Sequence, residues 1–84
     1  MFDINITEEA EKDLKKITKK DTEIILKKIY SIKKNPLHFI ERLSGVNLWK
    51  LRIGDYRVVM MIDTKNEIIN VIKIGHRKNI YKSL

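Results

Sequence analysis

A chain of 84 residues with no cysteine makes one small domain, residues 1–84, whose single core is only just sufficient and gains nothing from disulfides or a thiolate metal site. Its formal charge of +7 points to an anionic partner, with nucleic acid the first candidate. No apolar run reaches membrane-spanning length, the start MFDINITEEAEKD is acidic where a signal peptide is basic, and His38 and His76 are too far apart for a zinc pair; a cytoplasmic protein with no membrane partner, no metal and no cofactor is expected.

Phe2-Asp3-Ile4-Asn5-Ile6 alternates apolar and polar residues, as a short half-buried strand does. Thr7 follows as an N-cap, with Glu8, Glu9 and Glu11 in the first turn where negative charge suits the helix dipole. Ala10, Leu14 and Ile17 then form one apolar stripe on a helix of about ten residues. Thr18-Lys19-Lys20 is read as its close and Asp21 as the cap of a second helix, from about Thr22 to Lys34 and ended by Asn35-Pro36. Ile25, Leu26, Ile29 and Ile32 are its stripe, with Ile24 and Tyr30 at the borders. The lysine pairs of both helices read as a solvated face or an auxiliary contact to a large polyanion.

Between Leu37 and Asn47 an irregular segment is expected to plug the core with Leu37, Phe39, Ile40 and Leu43, and Ser44-Gly45 marks a turn. Arg42 either reaches toward the next element or pairs with Glu41 at the surface.

Residues 48–63, LWKLRIGDYRVVMMID, are two strand-forming runs around Gly54-Asp55, a β-hairpin with a two-residue turn. That turn sets Trp49, Leu51, Ile53, Tyr56, Val58 and Met60 on one face, an apolar floor for a core. The other face carries Lys50, Arg52 and Arg57, with the two arginines directly opposed. Like charges across a ladder are unfavourable. Either a polyanion is held against them, or acids such as Asp55 and Asp63 cap them.

The distribution of charge agrees with a role for this half. Residues 1–42 hold ten Lys or Arg against eight Asp or Glu, whereas residues 43–84 hold eight against three. Fourteen of the basic residues are lysine; the four arginines, Arg42, Arg52, Arg57 and Arg77, all lie in the second half or at its edge. Arginine binds phosphate through two parallel hydrogen bonds, which lysine cannot reproduce.

Thr64-Lys65-Asn66 reads as a three-residue turn into a last strand, EIINVIKIG, which would pair Arg57 with Lys73 and keep Lys73 off the core face. By parity Arg77 joins that face, His76 points toward the core, and Tyr81 can approach if the chain turns. Cations with an aromatic on an uncovered sheet face suit single-stranded RNA, phosphate on charge and base on ring. Tyr81 packed back on the sheet is the alternative. The expected architecture is α+β: a two-layer β-α-α-β-β-β domain whose antiparallel sheet bears a helical hairpin on one face.

The order of elements, the segment LWKLRIGDYRVVMMID, the helical TEEAEKDLKKI and the ending IGHRKNIY resemble the RelE/ParE superfamily of toxin–antitoxin toxins over nearly the whole chain. Resemblance to the RelE branch implies a metal-independent endoribonuclease that cuts mRNA in the ribosomal A site and arrests translation under stress. It implies as partners the ribosome, mRNA and an acidic RelB-like antitoxin that wraps the toxin. Resemblance to the ParE branch implies a gyrase inhibitor with the same fold, and an inactive homologue acting only with its antitoxin at an operator is a third reading. Lys50 matches the family's second catalytic lysine, Arg57 the arginine of its YR pair, Arg77 that of its late GxR, and Tyr81 its C-terminal tyrosine at a shorter spacing. The position of the other lysine, two residues before Lys50, is Leu48 here; Lys73, Arg52 or Arg42 would share its task.

Metal-free cleavage needs a group to take the 2′-OH proton, cations for the phosphorane and an acid for the 5′-oxygen. Lys50, surrounded by positive charge, is the expected base. Arg57 and Arg77 are the expected clamps, Tyr81 the stacking residue, and an arginine or His76 the acid.

Overall fold

A computed structural model describes residues 1–43 and 47–83. Five strands and two helices follow one another as β1 (Asp3–Ile6), α1 (Glu8–Lys15), α2 (Lys19–Ser31), β2 (Glu41–Arg42), β3 (Trp49–Ile53), β4 (Tyr56–Asp63) and β5 (Ile68–His76), and a 3₁₀ helix over Ile80–Ser83 comes last. The strands form one sheet in the order β1-β5-β4-β3-β2. The α+β, two-layer architecture is as expected, but the sheet is mixed: β1 runs parallel to β5, and every other pairing is antiparallel. A parallel pair needs a long connection between its strands, and the whole of α1 through β4 lies between β1 and β5.

Thr7 caps α1, its hydroxyl accepting from the Ala10 N–H at 3.3 Å. The cap of α2 is Thr18, not Asp21: the Thr18 hydroxyl accepts from the Asp21 N–H at 3.2 Å, and the helix begins three residues earlier than expected. Both residues are good caps. Asp21 is instead the acceptor of the Tyr56 hydroxyl at 2.9 Å, a tie between α2 and the hairpin.

Ala10, Ile25, Ile29 and Ile32 from the helices meet Leu51, Ile53, Val58, Met60, Ile69, Val71 and Ile74 from one sheet face in a continuous core. Ile40 is buried with them, whereas Leu37 and Phe39, both expected inside, are 48% exposed. The segment is more ordered than expected: a 3₁₀ turn over Pro36–His38 leads into β2, which pairs Glu41 with Lys50 and Arg42 with Trp49. The expected turn at Ser44-Gly45 lies outside the described residues.

The β3–β4 register is as the two-residue turn dictates, from Ile53 opposite Tyr56 to Trp49 opposite Met60. Gly54 has φ +56° and Asp55 does not take positive φ, the pattern of a type II′ turn with glycine first. The β4–β5 register differs from expectation. Asp63 faces Ile68 across a four-residue loop, and a bulge between Val59 and Met60 adds one further step. Arg57 therefore faces Gly75, and Lys73 faces Val59. Two single-residue shifts preserve parity, so Lys73 stays off the core face but moves two residues away from Arg57.

Candidate functional site

The open face of the hairpin gathers three of the expected cations. Lys50, Arg52 and Arg57, with Glu41 and Phe39, line a cleft of about 120 Å³ at the β2 side of the sheet. β2 supplies Glu41, whose carboxylate lies 3.5 Å from Lys50 Nζ. Lys50 is half-buried and Arg52 exposed.

Among the described residues no acid caps the opposed arginines. Arg57 donates from one guanidinium nitrogen to the carbonyl oxygens of Gly54 and Tyr56, each at 2.8 Å. The hairpin turn thus holds one cation in a fixed pose with two neutral acceptors, leaving its other donors for a ligand. Asp55 is turned to Arg77 instead: the Arg77 N–H donates to the Asp55 carbonyl at 2.8 Å, and Arg77 Nε lies 3.8 Å from its carboxylate. Asp63 accepts from the Asn66 backbone N–H and side-chain amide, bonds that lower its pKa and close the four-residue loop. Arg57 and Arg77 are therefore both moored to the turn 54–56, Arg77 on its own side of it.

The remaining expected residues separate. Lys73 Nζ donates to Glu9 of α1 at 2.8 Å, an interaction that raises the lysine's pKa and lowers the carboxylate's. Arg42 lies on the Trp49 side, its guanidinium carbon 5.9 Å from the indole centroid, so it faces away from Lys50. His76 faces Tyr56 edge-on, the ring centroids 6.2 Å apart, and its Nδ1 accepts from the Lys78 N–H; the core-side direction expected from parity is found. Tyr81 is 41% exposed on the final 3₁₀ helix. That helix folds back on the cation face: Ile80 is buried with its Cδ1 3.1 Å from where a Cβ on Gly75 would stand. Gly75 is the cross-strand partner of Arg57, so the tail turns back over that face at Ile80, the residue before Tyr81. Leu48 precedes β3 and is half-buried.

Two cleft residues were not singled out from sequence as parts of the site. From sequence Glu41 is at most a surface partner of Arg42, and Phe39 belongs to the core. Pairing of β2 with β3 reverses both assignments, and two residues are too short a strand to show a period. Among the described residues no group of three or more His, Cys, Asp or Glu side chains could hold a metal ion, and no helix is long and apolar enough to cross a membrane.

Known proteins are similar to this chain in sequence and in fold. Residues 4–81 match the family described as the ParE toxin of type II toxin–antitoxin systems, parDE. A Methanocaldococcus jannaschii protein named as toxin RelE4 is 31% identical over 87 residues, covering 98% of this chain and 93% of the relative. Among solved structures, the Mycobacterium tuberculosis RelBE2 toxin–antitoxin complex contains a chain that superposes with TM-score 0.84 at 20% identity, covering 90% of this chain and 98% of that one. A chain of the archaeal RelE–RelB complex from Pyrococcus horikoshii OT3 gives TM-score 0.77 at 24% identity, covering 90% and 94%. At that identity the structures speak for the fold. The family match and the archaeal relative speak for the lineage: this chain belongs to the RelE/ParE superfamily of type II toxin–antitoxin toxins.

Proposed function

We propose that the protein is the RNA-cleaving kind of toxin, a ribosome-dependent endoribonuclease that cuts mRNA in the A site by attack of a 2′-hydroxyl on the adjacent phosphate. The observation that carries this reading is the convergence of Lys50, Arg52, Arg57 and Glu41 on one cleft. A surface that merely docks on a protein does not need a carboxylate among three cations, whereas phosphoryl chemistry needs both a proton acceptor and charge stabilisation.

Arg57, held by the Gly54 and Tyr56 carbonyls, clamps the phosphorane oxygens, and Arg52 opposite adds a second positive charge. Lys50 and Glu41 share the handling of the 2′-OH proton: Glu41 is the acceptor that an all-cation cluster would lack, and Lys50 orients it. Arg77 supports the clamp from the other side of the turn and Tyr81 orients the substrate. Lys73, tied to Glu9, serves the fold. Cleavage leaves a 2′,3′-cyclic phosphate and a 5′-hydroxyl, the departing 5′-oxygen taking its proton from the Lys50 ammonium while Glu41 keeps that of the 2′-hydroxyl. So few groups make a modest catalyst alone, consistent with reliance on the ribosome to position the strand.

The partner that restrains the toxin is a RelB-like antitoxin, as in the RelBE and RelE–RelB complexes of the structural relatives; an acidic chain that folds on binding suits a protein of charge +7. Non-enzymatic inhibition of DNA gyrase is the second reading, favoured by the ParE description of the matching family. Purified protein added to programmed ribosomes separates the two. Mapped mRNA ends within the A-site codon support the nuclease; intact mRNA together with loss of gyrase supercoiling supports the inhibitor. Growth arrest on expression that Arg77→Ala abolishes would speak against an inactive homologue.

A further inference from the structure

Phe39 is an aromatic residue that the core does not use. Its side chain is 48% exposed while its neighbour Ile40 is buried, and it stands at the wall of the cleft lined by Lys50, Arg52 and Arg57. The ring is held in place. Lys28 Nζ of α2 lies over one face, 5.4 Å from the centroid, and the His38 ring meets it nearly edge-on, the centroids 5.0 Å apart and the planes at 82°. A single exposed phenylalanine is ordinary on a protein surface. One braced by a cation at the edge of a cation-lined cleft has a chemical use: a phosphate in the cleft places the attached base beside a free π surface.

We propose that Phe39 is a stacking platform for an unpaired nucleobase of single-stranded RNA whose phosphate occupies the Lys50–Arg52–Arg57 cleft. The proposal rests on the nuclease reading and deepens it by naming a substrate subsite distinct from Tyr81, which sits on the tail. The base takes the ring face that Lys28 leaves open, so base, ring and ammonium stack in that order. Stacking accepts every base, and the site positions the strand without reading its sequence.

The test uses the full chain and a 2′-O-methyl oligoribonucleotide, which cannot be cleaved because the attacking hydroxyl is blocked. 2-Aminopurine is placed at successive positions, since its fluorescence falls on stacking. The wild-type protein is expected to quench the probe at one position. Phe39→Trp keeps both quenching and affinity. Phe39→Leu keeps apolar bulk without a ring, loses the quenching, and binds about tenfold more weakly. Unchanged circular dichroism for both variants shows that the exposed position does not decide folding. Wild-type-like affinity and quenching in Phe39→Leu would overturn the stacking proposal and leave the nuclease reading standing. A wild-type protein that binds the oligonucleotide no better than Arg57→Ala would also overturn the stacking proposal, whereas the nuclease reading stands or falls on cleavage of mRNA on programmed ribosomes.

Discussion

Ile80 Cδ1 lies 3.1 Å from where a Cβ on Gly75 would stand, on the sheet face that carries Arg57. The missing side chain is what lets the final 3₁₀ helix lie down beside the cation site. Gly75→Val should force it off, costing about 1–3 kcal/mol of stability and exposing the last residues to protease. Gly75→Ala should cost less, because the nearest atom is the movable end of Ile80. Urea denaturation with limited proteolysis measures both; a Gly75→Val protein as stable and as protected as wild type would show that the tail does not pack there.

The Tyr56–Asp21 hydrogen bond joins the hairpin to α2, and acceptance by the carboxylate raises the Tyr56 pKa above its ordinary value. Tyr56→Phe should lower stability near neutral pH, because the Asp21 carboxylate loses its donor. A raised folded-state pKa means that this contribution is fully present below the unfolded phenol value of about 10 and is lost as pH rises through the higher folded value. The gap between wild type and Tyr56→Phe should therefore narrow above pH 10. A gap that widens with alkalinity would contradict the assignment.

Lys73 is expected to matter for folding and not for toxicity. Lys73→Met removes the 2.8 Å pair with Glu9 and should cost up to about 1 kcal/mol at pH 7. Glu9 titrates below the usual carboxylate value because of Lys73, so the pair's stability is present above that value and lost as pH falls through the lowered one. Denaturation midpoints of the variant and wild type should converge in acid. Growth arrest on expression should be unchanged; loss of arrest in a folded Lys73→Met protein would return Lys73 to the site.

The hairpin was legible to the residue because Gly54 must sit in a left-handed turn and only one register then sorts Leu51, Ile53, Val58 and Met60 onto one face. The helices were legible through their stripes, and Thr7 through its acidic first turn. What could not be read is informative. Thr18 and Asp21 are equally good caps by residue type; in the fold Thr18 caps the helix and the Asp21 carboxylate accepts from Tyr56. The four-residue loop depends on Glu67 at φ 54°, a residue type that gives no signal for that conformation. The bulge at Val59/Met60 has no glycine to announce it. Together these two moved Lys73 from Arg57 to Glu9. Glu41 was hidden for a different reason: it joins the cleft through a strand of two residues.

Arg57 is pinned by two carbonyl oxygens, a pose that depends on a planar guanidinium. Arg57→Lys keeps the charge but cannot hold the turn and grip a phosphate at once. Its single-turnover cleavage rate on programmed ribosomes should fall by about 100-fold, the order seen when one preorganised donor is removed from a transition state. A lysine variant within a few-fold of wild type would show that charge alone suffices at this position.

Attack by the 2′-hydroxyl at the Lys50–Glu41–Arg57 cleft fixes the chemistry of the cut ends. RNA cut by the wild-type protein on programmed ribosomes should carry a 2′,3′-cyclic phosphate on the upstream fragment and a 5′-hydroxyl on the downstream one. A 2′-O-methyl group at the cut nucleotide should abolish the reaction. Fragments ending in a 3′-hydroxyl and a 5′-phosphate, or cleavage that persists through the methylated position, would contradict it.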